Sequence, residues 1–304
     1  MKILDGYLSL KKGAVLTIGN FDGIHKGHQK IIKKNVEISK KNNLKSVVIT
    51  FDPHPKEFFN KNKSSFKLTK KNTKIDEIKK LGVDYLIFKK FNKNFAKLSP
   101  EEFIKKISIL NQKFIVVGYN FCFGYKRKGN VNLLKKLSKK YLYKLKVISR
   151  VLNKNKKTIN STLIRKKIKT GDYNKVKDML GRNWLLEGKV IRGSGRGKSL
   201  GYPTANFFIK DYVLPMKGVY ITKSFFKNNK KAYYGIANIG NRPTFNEKKV
   251  FFENHFFKIN NNFYGKEIFV ELLAFLRKEK KFYSIDLLKK QIKKDVLLAK
   301  KYIK

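Results

Sequence analysis

The hydrophobic rhythm of this chain changes once, near Trp184, and the change limits what each half can become. Before it, short apolar runs at residues 14–18, 46–51, 83–88, 114–121 and 145–151 alternate with stretches of helical period. That is the pattern of parallel strands joined by crossover helices, a doubly wound α/β arrangement. Ser99-Pro100-Glu101-Glu102 reads as a capped helix start, with proline in the first turn and glutamate three residues after the cap. A helical tail at 161–180 closes this half before Gly181. After Trp184, runs at 185–191, 204–209, 218–226, 232–238, 250–257 and 268–275 are separated by turn residues and suit a six-stranded antiparallel β-barrel. Only 284–304 is helical there, and Ile285, Leu288, Ile292, Val296 and Ala299 recur on one helix face that packs on the barrel. Two domains are therefore expected, at 1–184 and 185–304, each long enough to bury a core.

The run at 14–18 leads into Gly19-Asn20-Phe21-Asp22-Gly23-Ile24-His25-Lys26-Gly27-His28, and a helical pattern follows at 29–41. Two of the four histidines thus stand at a strand-to-helix turn. Glycines let backbone approach a ligand there, and free N–H groups at a helix start attract anions. His25 and His28 are candidate donors to phosphate oxygens, and the site wants a nucleotide. A second cluster, Asn160-Ser161-Thr162-Leu163-Ile164-Arg165, opens a helix with two hydroxyls and places arginine one turn later. In isolation such a pair is an ordinary N-cap. Beside the histidine turn it reads as a holder of the β- and γ-phosphates.

In the second half, Gly193-Ser194-Gly195-Arg196-Gly197-Lys198-Ser199 invites comparison with a P-loop and fails it. The spacing requires glycine where Arg192 stands, and Gly201-Tyr202-Pro203 stops any following helix. A dinucleotide-binding GxGxxG fails as well, because its third glycine falls on Leu200. Downstream, Thr204 and Asn206 lie two apart in an extended run and share one side of it. A hydroxyl and an amide oxygen are hard ligands, suited to a magnesium ion that keeps waters and bridges nucleotide phosphates.

Basic residues outnumber acidic ones 72 to 21, a formal charge of +51 that attracts polyanions. Only eight of them are arginine, and the lysines are spread over nearly every segment. Drift toward AT-rich codons at solvated positions fits this better than one nucleic-acid-binding face, with weak nonspecific polyanion binding left open. No specific nucleic-acid partner is expected, and the oligomeric state stays open. The lone Cys122 cannot form an internal disulfide and reads as packing. The acid in the opening Met-Lys-Ile-Leu-Asp-Gly argues against a signal peptide, and no run reaches the ~18 apolar residues of a membrane span. The expectation is a cytoplasmic protein.

The histidine turn resembles the HxGH signature of the nucleotidyltransferase superfamily. With Thr50-Phe51-Asp52-Pro53-His54-Pro55, Val117-Gly118-Tyr119-Asn120-Phe121-Cys122-Phe123-Gly124 and the Asn-Ser-Thr-x-x-Arg cluster, it resembles the prokaryotic bifunctional riboflavin kinase/FAD synthetases. The resemblance implies an N-terminal Rossmann-like α/β nucleotidyltransferase domain converting FMN and ATP to FAD and pyrophosphate. It also implies that Gly19, Phe21, Gly23, His25, His28, Ser161, Thr162 and Arg165 meet ATP, with the histidines catalytic, and that Pro53, His54 and Asn120 line the nucleotide and flavin cleft. Read by itself, His54 is equally a loop anchor. The run from Gly193 through Pro203-Thr204-Ala205-Asn206-Phe207 is similar to the family's riboflavin kinase signature, as are residues 237–245, Glu253-Asn254-His255, and the stretch from Tyr264 to Glu279. That likeness implies a barrel in which Glu253 is the base for the riboflavin 5′-hydroxyl. Gly195, Arg196, Gly197, Lys198, Gly201, Thr204 and Asn206 would bind ATP, Thr204 and Asn206 would hold Mg2+, and Arg277 would contact the flavin. Arg192 and Tyr202 replace the common histidine and phenylalanine, with little consequence expected.

Three other readings explain less. A class I aminoacyl-tRNA synthetase needs a second lysine-rich catalytic loop of the KMSKS kind, which is missing. A single-activity adenylyltransferase leaves the barrel unexplained, and a nonenzymatic RNA-binding protein leaves the histidines unexplained.

Overall fold

The computed structural model describes residues 1–60, 65–227, 229–241, 250–257 and 263–303. The part of the barrel signature at 242–245 lies outside them. The chain forms two compact units, residues 1–64 with 71–160, and residues 65–70 with 161–304.

The first unit contains strands β1 (Lys2–Leu4), β2 (Ala14–Ile18), β3 (Lys45–Asp52), β4 (Tyr85–Lys90), β5 (Gln112–Gly118), β6 (Cys122–Phe123), β7 (Gly129–Asn130) and β8 (Lys144–Ile148). Its helices are α1 (Lys26–Lys41), α2 (Pro55–Phe59), α3 (Lys71–Lys79), α4 (Lys93–Ala96), α5 (Pro100–Ile107) and α6 (Val131–Lys140). Six strands make one parallel sheet in the order β1-β4-β3-β2-β5-β8. Both faces are covered, so alternate residues of one strand enter different cores. Val48 and Leu86 pack with Ile32, Val36 and Ile78 of α1 and α3, while Ile49 and Ile87 pack with Phe103, Ile107, Leu134 and Leu137 of α5 and α6. This double burial is why the strands read as unbroken apolar runs. Ser99 caps α5 as expected, its hydroxyl accepting from Glu102 N–H (3.2 Å) while Glu102 Oε2 accepts from Ser99 N–H (2.7 Å).

Several boundaries differ from the sequence expectation. β5 ends at Gly118 because Tyr119-Asn120 turns, and Cys122-Phe123 instead pairs with Gly129-Asn130 as a small hairpin. β1 was not foreseen, being only three residues long.

The second unit opens with α7 (Ser161–Lys169) and α8 (Tyr173–Leu180). Its strands are β9 (Trp184–Lys189), β10 (Thr204–Phe208), β11 (Gly218–Phe226), β12 (Asn229–Asn241), β13 (Val250–Phe256) and β14 (Glu267–Arg277), with α9 (Arg196–Ser199) and a final α10 (Ile285–Ile303). All six pair antiparallel in the order β10-β13-β12-β11-β14-β9. The two edges approach through the Ile191–Asn206 bridge, where Ile191 N–H donates to Asn206 O at 2.8 Å. Phe207 and Phe252 stack inside at 4.5 Å, and the Phe207 ring fills the space a side chain at Gly188 would need.

The outer face carries Val219, Ile221 and Ile236, which Ile292, Val296 and Ala299 of α10 cover. Beside them Arg277 grips the buried Asp295 of α10 through Nε (3.0 Å to both oxygens) and Nη2 (2.8 Å), and Gln291 Nε2 donates to the same carboxylate at 2.9 Å. Asp295→Ala removes one partner of this pair and is expected to destabilise the second unit by about 3 kcal/mol. The chain's single tryptophan, Trp184, is buried in this unit, so denaturant unfolding followed by its fluorescence reads the loss directly.

Candidate active sites

At the carboxyl end of β2 the chain turns sharply into α1. Phe21 (φ 45°) and Ile24 (φ 41°) are both left-handed and both buried, as is Gly23 (φ 92°). Non-glycine residues in this region store roughly 1–3 kcal/mol each and persist only where the surroundings hold them. His25 is the N-cap of α1, and its Nδ1 accepts from His28 N–H at 3.3 Å. An accepting Nδ1 leaves the neutral ring's proton on Nε2. The His25 and His28 rings stack, centroids 3.6 Å apart and 20° from parallel, while Phe21 meets His28 edge-on at 5.3 Å. A Cβ at Gly27 would press on the His25 ring at 3.0 Å, so this HxGH needs its glycine for space.

Lys74 of α3 comes beneath this turn, a residue that sequence reading passed over. It is buried, and its Nζ donates to Asn20 O (2.8 Å) and Thr50 Oγ1 (3.4 Å). Burial pushes the His28 pKa well below 6.5, and the repulsion that a second imidazolium would meet from His25, with the charge of Lys74, acts in the same direction. His28 is therefore neutral at physiological pH, and its Nδ1 is buried without a hydrogen bond among the described residues. A side-chain NMR titration should show His28 unprotonated at pH 6.5. The unfolded chain takes up this proton first, so the contribution to stability falls as pH drops from 6.5 toward the folded pKa.

Beside the turn opens a cavity of about 1000 Å³. Ile18 and Asn20 after β2, Phe51 at the end of β3, and Phe121 and Cys122 after β5 contribute to it. The sheet order reverses between β2 and β5, and open α/β sheets bind ligands at such a point. Eight phenylalanines line it, with Lys56, Lys93, Lys97, Lys126 and Arg127, and no carboxylate is among the lining residues. Such a cavity accepts a large planar ring carrying an anionic group. Cys122, expected to be packing, is half-buried and lines this cavity.

Pro53, His54 and Asn120 are not among the lining residues, although their neighbours are. His54 is the N-cap of α2, accepting from Lys56 N–H at 3.1 Å. It thereby aims Pro55, Lys56, Phe58 and Phe59, which do line the cavity. Asn120 is exposed. Ser161, Thr162 and Arg165 begin α7 as the sequence implied, but α7 belongs to the second unit, whereas both histidines belong to the first. Within that unit Arg165 Nε donates to Phe66 O at 2.7 Å, and the guanidinium lies over the Phe66 ring.

The second unit places Thr204 and Asn206 on one face of β10, with Thr204 Oγ1 donating to Asn206 Oδ1 at 3.2 Å. Antiparallel register sets Asn206 opposite Glu253 and Thr204 opposite His255 on β13, so these four residues share a face. Asn238 of β12 flanks Glu253 from the other side. On the opposite face of β13, Asn254 is fully buried, receiving Thr222 Oγ1 at 2.7 Å and donating to Ser224 Oγ at 3.2 Å. The glycine turn is a single helical turn, α9, bounded by Gly195 (φ 80°) and Gly201 (φ 86°) with open space at both. Arg196 and Lys198 are exposed there. Arg277 faces Asp295, as described above, and this packing role was not foreseen.

A family model described as FAD synthetase matches residues 8–163, and one described as riboflavin kinase matches residues 180–303. A bifunctional riboflavin kinase/FMN adenylyltransferase of Buchnera aphidicola subsp. Schizaphis graminum is 42% identical over 309 residues, covering 99% of both chains. The chain belongs to this family. The bifunctional enzyme of Buchnera aphidicola subsp. Acyrthosiphon pisum is 41% identical, over 99% of this chain and 98% of its own. Among solved structures, one named as a macrolide-efflux protein from Streptococcus pneumoniae has a TM-score of 0.86 at 29% identity, covering 97% of this chain and 96% of that one. Its backbone carries the same fold as this bifunctional enzyme. No described helix here is long and apolar enough to cross a membrane.

Proposed function

We propose that adenylyl transfer belongs to residues 1–184 and phosphorylation to residues 185–304. As a member of its family the chain is a bifunctional riboflavin kinase and FMN adenylyltransferase, phosphorylating riboflavin to FMN with ATP and converting FMN and ATP to FAD and pyrophosphate. The observation that carries the assignment of the first reaction is the acid-free aromatic cavity at the edge of the histidine turn. The isoalloxazine ring enters among the phenylalanines, and the cations favour the phosphorylated flavin. His25 and His28 donate to ATP phosphates as charge develops on the departing pyrophosphate. Gly19, Phe21 and Gly23 shape the turn for close approach. Ser161, Thr162 and Arg165 carry over from the family pattern as phosphate contacts, and Pro53, His54 and Asn120 as cleft residues.

In the kinase reaction Glu253 takes the proton of the riboflavin 5′-hydroxyl as its oxygen bonds to the γ-phosphorus and the bond to ADP breaks. Gly195, Arg196, Gly197, Lys198 and Gly201 approach the ATP phosphates, and Arg277 carries over as a flavin contact. The hydroxyl of Thr204 and the amide oxygen of Asn206, 3.2 Å apart on one face, fit a hard cation and would hold Mg2+. An ion held there would supply positive charge to the nucleotide phosphates.

Incubation with riboflavin, ATP and magnesium, followed by chromatography of the flavins, should show FMN and then FAD. Folded protein making neither refutes the reading. Asn206→Ala should raise the KM for ATP in FMN formation, and added magnesium should partly restore it, as titration of both ligands will show.

A further inference from the structure

Pro203 joins the glycine turn to β10, and its carbonyl lies 3.0 Å from Nδ1 of His255. A carbonyl only accepts, so Nδ1 carries the proton and donates. The Tyr202 ring meets the His255 ring edge-on at 5.3 Å, and Phe257 does so at 6.2 Å. Tyr202 in turn fastens the glycine turn, since its N–H donates to Gly197 O at 2.8 Å. A Cβ at Gly197 would come within 2.6 Å of Tyr202 O and 3.3 Å of the Thr204 side chain, so turn and strand are in close contact. One imidazole therefore links three things: the strand bearing Glu253, the strand bearing Thr204 and Asn206, and the turn at 195–201. Burial holds the His255 pKa below 6.5, against the opposing effect of the Pro203 bond and in the same direction as the charge of Lys300 on α10.

We propose that His255 is a positioning residue for the kinase reaction, its Nδ1–H bond to Pro203 holding the ATP-binding turn in register with Glu253. The proposal rests on the reading that residues 195–206 take ATP. His255 touches no reacting atom in this account. The bond sets where the nucleotide sits in ground state and transition state alike, so its loss should appear in KM for ATP and leave kcat alone.

Two variants of the full chain test it. His255→Phe keeps a ring against Tyr202 and Phe257 but has no donor, whereas His255→Gln keeps a donor without the ring. His255→Phe should raise the KM for ATP in FMN formation about five- to tenfold, the worth of one hydrogen bond, with kcat within about twofold. KM for riboflavin and the conversion of FMN to FAD should be unchanged, and His255→Gln should recover part of the ATP affinity. An unchanged KM for ATP in His255→Phe overturns the proposal, as does a fall in kcat without a change in KM. If His255→Phe loses the native Trp184 fluorescence, the Gln variant decides, and equal loss of ATP and riboflavin affinity there overturns it. Parent protein that makes no FMN overturns the kinase reading and this proposal together. Parent activity with unaltered KM values in both variants overturns the role of His255 alone.

Discussion

Glu253→Gln is expected to lower riboflavin phosphorylation by roughly 10² to 10⁴ while conversion of FMN to FAD continues at the parent rate. The substitution keeps the side chain's shape and hydrogen-bonding reach and removes its capacity to take a proton. Its place on β13, opposite Asn206 and beside Asn238, is set by backbone pairing that the substitution leaves intact. The variant should therefore fold and bind ATP as the parent does, and the loss should fall on kcat. Phosphorylation at the parent rate, measured by flavin chromatography, would show that Glu253 is not the base, even with both activities otherwise confirmed.

The complementary effect comes from His28→Ala, expected to reduce FAD formation by roughly 10² to 10³ with FMN formation nearly intact, the usual consequence of losing one transition-state hydrogen-bond donor. His28 is packed against the His25 ring and meets Phe21 edge-on, and its ring is neutral, so the substitution removes no surface charge. Activity assays on both reactions, with circular dichroism as the check on folding, separate the outcomes. Equal loss of both activities with the fold preserved would contradict the assignment of His28 to adenylyl transfer.

What could be read from the sequence was whatever is local. The histidine turn was legible because strand, glycines, histidines and helix lie within one short segment. The strands were legible because double burial in a parallel sheet leaves unbroken apolar runs, while β1 escaped notice because three residues make no pattern. Other features depend on residues distant in the chain. The cavity takes its rings from Phe51, Phe91, Phe103 and Phe121 on separate elements, and no spacing rule joins them. Glu253 reads as any strand glutamate until register places it across from Asn206. Lys74 was invisible for a compositional reason. Among 72 basic residues, most of them solvated, nothing in the sequence marks the one buried below the turn. Arg277 was matched to a flavin role, and only the structure shows its carboxylate partner on α10.

The two sides of β13 answer to different demands. Successive residues of a strand face opposite ways, so a slip of one position would turn Glu253 inward and carry Asn254 out to the face of Thr204 and Asn206. The hydroxyls of Thr222 and Ser224 reach over Gly235 and Ala237 of the intervening strand to meet the amide of Asn254. An aliphatic residue at 254 would tolerate either alignment, because an oily interior has no directional preference. The asparagine tolerates one. However many lysines the solvated positions carry, the inside of the barrel thus keeps a polar lock that holds Glu253 on the face it shares with Thr204 and Asn206.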